Sequence, residues 1–361
     1  MTNRTDPFIS GFLSRLSAMP RKIVILRASR IGDFLCTIPA IRALRQALPA
    51  AEIAMITLPL LRDLVLRSPY IDRFIAFPGF PGMAEQFFSA PKAVQFFQQM
   101  QAEPFDLALQ MQGSGVYSNP FMLLLGAKAT AGFVREGDPS GLLDAALPFP
   151  ENKHEIRRML SLTAFLGIPA QGVGEELEFP LWQEDYTHAD ALLAHTKLPL
   201  IGLHPSARDA TRRWASERFV ETGKILAQRC HGTIVLLGEA EDYPTGEAMS
   251  KEITTTNTPC LNLMGKTTLP VLGAVIARLS ALITNDTGPA HIAYALKTPT
   301  VTIFGGGSPT LNGPLNPGPF RVLQFPVPCR PCGYVNCPIG YRCLEHVSVG
   351  EVIHSVEELL S

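Results

Sequence analysis

The stretch Asn285-Asp286-Thr287-Gly288-Pro289-Ala290-His291 follows an apolar run, Ala281–Thr284, and leads into a helix-like segment. Asp286 or Thr287 is placed to cap that helix, Gly288 lets a backbone approach closely, and His291 stands where it can donate to a phosphate oxygen. A helix start carries roughly half a positive charge and leaves N–H groups unsatisfied, so it favours an anion. A second apolar run, Thr300–Phe304, ends in Gly305-Gly306-Gly307-Ser308-Pro309-Thr310, whose glycines expose backbone N–H groups that suit an anion-binding concavity. After a third run, Pro199–His204, come Ser206, Arg208, Arg212 and Arg213; guanidinium groups bind diphosphate oxygens bidentately. After a fourth, Thr233–Leu237, comes Gly238-Glu239-Ala240-Glu241-Asp242, where a carboxylate suits ribose or sugar hydroxyls. Each loop also has a plainer reading as a capped turn, a flexible turn, a solvated basic loop or an acidic helix start. Two small, polar loops so close in sequence, each following a strand, point to a phosphate-bearing ligand.

Two further groups could do chemistry. Asp33, in Arg27-Ala28-Ser29-Arg30-Ile31-Gly32-Asp33 after the first strand, is a candidate general base or a cap for the next helix. No G-x-G-x-x-G opens that helix, which speaks against a dinucleotide-dependent dehydrogenase. Cys329, Cys332, Cys337 and Cys343 crowd one segment at spacings x2, x4 and x5. Four thiolates can hold zinc or iron tetrahedrally as a structural site. Two disulfides, disfavoured in a reducing compartment, or four free thiols are the other readings.

The elements that must position these groups alternate. Lys22–Arg27, Glu52–Thr57 and Phe105–Gln110 read as strands, with helices over 39–47, Pro39 in its first turn, and near 91–101. In the second half the helix after Pro199–His204 is expected to be capped by Ser216 and to end near Cys230, with Gly232 just beyond. A helix over Thr268–Leu279 and a last one over 349–360, opened by a Ser348–Glu351 capping box, complete the pattern. Strands separated by helices imply parallel sheets covered on both faces, with ligands beyond the strands' carboxyl ends. The proline- and glycine-bearing region 170–198 marks the junction of two domains, 1–180 and 181–348, followed by the helix 349–361.

With 361 residues, 46% hydrophobic and formal net charge −1, the chain is long enough for two cores and is no general nucleic-acid binder. No apolar run reaches the roughly 18 residues of a membrane span, and residues 1–22 do not read as a signal peptide, so a cytoplasmic location is expected. Phe8, Ile9, Phe12, Leu13 and Leu16 fall at helical spacing within 1–21. That helix either docks on the protein's own body or lies on an anionic membrane surface.

Assembled, the segments KIVILRASRIGDFLCTIPAIRALRQALPAAEI, FDLALQMQGS, IGLHPSARDATRRW, VLLGEAED and LMGKTTLPVLGAVIARLSALITNDTGPAHIAYALKTPTVTIFG resemble the family-nine glycosyltransferases, the ADP-heptose:lipopolysaccharide heptosyltransferases. The resemblance spans about residues 22–360. It implies a GT-B fold: two Rossmann-like, doubly wound parallel-sheet domains facing a central cleft, with the last helix crossing back to the first domain. It implies inverting transfer of a heptose from a nucleotide-diphosphate sugar, ADP-heptose, to a lipopolysaccharide-core or similar glycan hydroxyl, with no cofactor required for catalysis. Asp33 matches the family's general base. Asp286, Thr287, Gly288 and His291 match the donor-binding segment, Ser206 the phosphate-facing loop, and Glu241 an acid near the donor ribose. Arg212 stands where members often carry lysine. The implied setting is peripheral contact with the inner face of the bacterial inner membrane. A non-catalytic sugar-nucleotide-binding protein and a transferase with a protein acceptor are the alternatives.

Overall fold

The structure, a computed structural model, describes residues 6–139, 141–169 and 172–361. The chain divides into two compact units, Met1–Glu176 and Leu177–Ser361.

In the first unit six strands alternate with five helices. These are β1 (Lys22–Leu26), α1 (Ile31–Ala47), β2 (Glu52–Thr57), α2 (Arg62–Arg67), β3 (Arg73–Ala76), α3 (Ala90–Gln101), β4 (Leu107–Gln110), α4 (Ser118–Leu123), β5 (Ala129–Val134), β6 (Ala145–Pro148) and α5 (Glu155–Leu166). The sheet runs β3-β2-β1-β4-β5-β6, parallel throughout. The order reverses between β1 and β4, the switch point at which loops diverge and leave room for a ligand. One sheet face, carrying Val24, Leu26, Ala54, Ile56 and Ala108, packs against Phe96 and Met100 of α3 and Phe121 of α4. Phe80, Phe97 and Phe121 meet there at centroid distances of 5.0 to 6.1 Å, pairs that each add about 0.5–1.5 kcal/mol beyond burial. This accounts for the phenylalanine-rich segment between β3 and β4. Helices α1 and α5 pack on each other.

The second unit begins with α6 (Gln183–Leu193) and continues β7 (Leu200–His204), α7 (Ser216–Cys230), β8 (Thr233–Leu236), α8 (Tyr243–Thr254), β9 (Cys260–Asn262), α9 (Leu269–Arg278), β10 (Ala281–Asn285), α10 (Gly288–Leu296), β11 (Thr300–Phe304), α11 (Pro309–Asn312), β12 (Phe320–Gln324), α12 (Arg342–Glu345) and α13 (Val349–Leu360). Its sheet, β12-β11-β10-β7-β8-β9, repeats the first unit's parallel topology, with the switch point between β7 and β10. Helix α13 opens with the Ser348–Glu351 capping box and buries Val352, Ile353 and Val356 in the core shared with α7 and α8. Each such side chain contributes about 1.5–3 kcal/mol.

Three local expectations are corrected. Helix α1 begins at Ile31, so Pro39 lies inside it rather than in its first turn, and Asp33 is its third residue. Pro39 removes one helical hydrogen bond; burial of Leu35, Ile38, Ala40, Ile41 and Leu44 offsets the loss. Of the N-terminal segment 1–21, residues 1–5 lie outside the described residues, and the rest contains a single 3-10 turn, Phe12–Arg15, in place of the short amphipathic helix expected. Gly11 at φ 80° breaks the run, and its N–H donates to Phe165 O. Phe12 and Leu13 are buried, whereas Phe8 and Ile9 are exposed. At the end of α7, His231 takes the left-handed position at φ 56°. Gly232 serves a different need: a Cβ there would lie 2.1 Å from Pro199 O. Among the described residues, no helix is long and apolar enough to cross a membrane.

Candidate active site

In the second unit the loops after β7, β10 and β11 belong to neighbouring strands and are tied together. Asn285, wholly buried at the end of β10, donates to Pro205 O (2.8 Å) and accepts from Trp214 N (3.0 Å). The indole of Trp214 donates to Val347 O. Gly306 N donates to Thr211 O, and Cβ atoms at Gly305 or Gly307 would collide with Thr211 O at 2.3 Å and Asp286 Oδ2 at 2.0 Å. The glycine run therefore admits close packing against a backbone and a carboxylate, beyond forming a flexible turn.

Of the expected donor residues, Ser206, Arg212, Asp286, Thr287, Gly288 and His291 lie on these loops and the helix they lead into, and Glu241 lies elsewhere. Asp286 is buried and forms an ion pair with Arg212 across 3.3 Å. Gly288 begins α10, Thr287 is its N-cap, and His291 lies in its first turn, edge-on to Tyr294 at 5.7 Å. Thr287 Oγ1 donates to Asn285 O and lies 3.3 Å from His204 Nδ1, so it does not cap α10 with its side chain. Ser206 is half-buried, two residues beyond β7. Glu241 is exposed in the 3-10 turn Ala240–Asp242 following β8, the next strand over from β7.

Sequence reasoning missed Asn285, His204 and Arg330. A polar residue inside an apolar strand run was the available signal for the first two. Arg330 donates to Gly305 O (2.9 Å) and Phe304 O (3.1 Å), and Cys332 N donates to Gly306 O. Thr211 donates its hydroxyl to Tyr334 O. The Cys-rich segment is thus a brace for the glycine loop. The expected zinc or iron ligands Cys329, Cys332, Cys337 and Cys343 lie in this segment, all four as free thiols, and no metal-holding group of three or more His, Cys, Asp or Glu occurs among the described residues. Cys343 packs into the core of the unit while Cys329 is exposed, so their environments differ. Burial pushes the Cys343 thiol up, against thiolate formation.

In the first unit Asp33 projects from the first turn of α1 with its side chain half exposed. Arg27, buried immediately after β1, donates to Met111 O (2.6 Å), Asp33 O (3.2 Å) and Glu155 Oε1 (2.6 Å), and its Nη2 lies 3.7 Å from Asp33 Oδ1. Glu155 also pairs with Arg158, whose guanidinium donates to Pro150 O and Glu151 O. Burial alone would raise the Glu155 carboxyl; the charges of Arg27 and Arg158 outweigh it and hold Glu155 below the usual carboxylate range. Arg30, at the N-cap of α1, pairs with Glu85.

Two parallel sheets of identical topology, each with polar loops at its switch point, place the chain in the GT-B fold class. Solved structures of that class share the fold. A family-9 glycosyl transferase from Veillonella parvula superimposes with a TM-score of 0.80 at 21% identity, covering 94% of this chain and 97% of its own. An ADP-heptose lipopolysaccharide heptosyltransferase II from Escherichia coli gives 0.74 at 23%, covering 94% and 98%. A lipopolysaccharide core heptosyltransferase of Haemophilus influenzae is 23% identical over 302 residues, 82% of each chain. Residues 93–341 match the model of glycosyltransferase family 9 (heptosyltransferase), and the chain belongs to that family.

His204 generates a prediction. Burial pushes its imidazole down to about 4, against a weaker opposing pull from Asp242, while its Nδ1 lies near the hydroxyls of Thr284 and Thr287. The folded pKa is below the unfolded one, so the contribution is full above pH ~6.5 and is lost as pH falls toward the folded value. Between pH 7 and 5, wild type should lose about 2 kcal/mol more unfolding free energy than His204→Gln. Denaturant titrations at the two pH values measure this; equal losses refute it.

Proposed function

We propose that this glycosyltransferase moves a heptose from ADP-heptose to a hydroxyl of a lipopolysaccharide-core acceptor, with inversion at the anomeric carbon. The observation that carries the reading is the Arg212–Asp286 ion pair beside the N-terminus of α10. It sets a fixed cation and a helix N-terminus where a diphosphate needs them, next to a carboxylate that can accept from sugar hydroxyls. Thr287, Gly288, His291 and Ser206 complete the diphosphate contacts, and Glu241 takes the ribose. The names of the Escherichia coli and Haemophilus influenzae relatives favour ADP-heptose and the lipopolysaccharide core over other donors and acceptors.

In the proposed step Asp33 takes the proton of the acceptor hydroxyl as that oxygen bonds to the anomeric carbon. The bond from that carbon to the diphosphate oxygen breaks, and its electron pair leaves with ADP. One displacement inverts the centre. Arg212 and the N–H groups of α10 meet the charge growing on the leaving group, a task that other transferases give to a divalent cation. A non-catalytic sugar-nucleotide binder would need no carboxylate at Asp33.

Asp33→Asn should keep the fold and ADP affinity yet lose about 10²–10⁴-fold in turnover, assayed in EDTA with ADP-heptose. Near-normal turnover removes Asp33 from the role, and loss of wild-type turnover on adding EDTA refutes the metal-free step. For the donor, a thermal-shift comparison of ADP-, UDP-, GDP- and CDP-sugars should single out the ADP-sugar, and calorimetry should show weaker ADP binding by His291→Ala. An equal response to all four, or unchanged affinity in the variant, contradicts the donor assignment.

A lipid-anchored acceptor also calls for contact with a membrane surface. Exposed Phe8, Ile9 and Met19, with Arg21 nearby, form the N-terminal candidate for it. Sedimentation with anionic vesicles should fall several-fold in Phe8→Ser/Ile9→Ser; unchanged binding would exclude this face.

A further inference from the structure

Asp33, Arg27, Glu155 and Arg158 form a string of alternating charge. Its members come from the N-terminus of α1, the end of β1 and the first turn of α5. Three of the four side chains are buried, at 4%, 8% and 10% exposure for Arg27, Glu155 and Arg158, whereas Asp33 is at 50%. The string therefore reaches solvent at Asp33. Buried ion pairs often serve only to fix a fold. An acid in the first turn also stabilises α1, so function is read from how Arg27 is shared between the two carboxylates.

The distances show how the guanidinium is shared. Arg27 Nη2 gives its short contact, 2.6 Å, to Glu155 Oε1, and stands off at 3.7 Å from Asp33 Oδ1. Arg27 Nη1 is anchored on Met111 O, at the end of the neighbouring strand β4. We propose that Glu155 is a positioning residue for the transfer: acting through Arg27, it orients Asp33 while drawing the guanidinium away from a tight pair that would quench the base. This rests on the reading of Asp33 as general base. The other charged and titratable groups near this string are Arg30 with its partner Glu85, Cys36 of α1, which faces Arg27, and His154 at the N-cap of α5.

Removing the Glu155 charge leaves Arg27 uncompensated and drawn to Asp33, which becomes a weaker base. A carboxylate tightened onto an arginine titrates about one to three units lower. With ADP-heptose and lipopolysaccharide core, Glu155→Gln should lower kcat about tenfold or more. It should move the acid limb of the kcat/KM profile about one unit to lower pH and leave the donor KM within about twofold of wild type. Glu155→Asp should recover part of kcat. Replacing the set, Arg27→Met with Glu155→Leu and Arg158→Met, removes all three buried charges, a change that proteins often tolerate. It should move the acid limb the opposite way, to higher pH. Opposite shifts in the two variants support the inference, and an acid limb unmoved in both overturns it. If Glu155→Gln does not fold, the triple variant decides: a shift upward supports and no shift overturns. Near-normal turnover in Asp33→Asn would instead bring down the general-base reading itself, whichever way the Glu155 variants behave.

Discussion

One buried amide holds the second unit's site in register. Asn285 ends β10 and reaches both the loop after β7 and the start of the segment leading into α7. No water reaches it, so each of its hydrogen bonds must be made within the protein. Taking either away would leave a buried N–H or carbonyl without a partner, at a cost of about 1–3 kcal/mol each. The parallel pairing of β7 with β10 places Asn285 one residue beyond the Thr284–His204 register. A sheet bond thereby fixes where Arg212 and Asp286 can meet. Because Trp214 carries both ends of this arrangement, through its backbone to Asn285 and its indole to Val347, the loop is also tied to the turn that begins α13.

The two units share one topology and handle charge differently. In the second, the Arg212–Asp286 pair and the buried His204 stand beside backbone groups: a helix N-terminus, glycine N–H groups and carbonyls clamped by Arg330. Such backbone donors cannot titrate and need no reorganisation to receive an anion. In the first, polarity comes from side chains in a buried ionic string ending on a half-exposed carboxylate. A side chain can change protonation state, which a backbone amide cannot.

The strand runs and strand-end loops could be read from the sequence because parallel strands buried on both faces are nearly continuous apolar runs. The Ser348–Glu351 box was local, and it formed. Local signals also misled. Pro39 looked like a helix start, yet α1 runs through it because tertiary burial outweighs one lost hydrogen bond. Spacing around Phe8–Leu16 looked helical, but Gly11 takes a left-handed conformation and hands its N–H to α5. Arg27 and Glu155 are separated by 128 residues, so no local pattern could pair them. The one trace was an arginine closing the otherwise apolar run KIVIL.

Arg212 joins two kinds of recognition. A lysine there would offer a compact charge to one partner at a time, whereas the planar guanidinium presents several donors in fixed directions. Its Nη1 is already engaged with the Asp286 carboxylate, and that carboxylate is pressed against the glycine loop so closely that Gly307 has no room for a Cβ. Asp286 is therefore held from one side by the glycine backbone and from the other by the arginine. Under the proposed function, a diphosphate that recruits the remaining donors of Arg212 would pull on the group that contacts the sugar. The two halves of the donor would then be sensed jointly, because a guanidinium shared between a carboxylate and a phosphate cannot shift toward one without loosening its hold on the other.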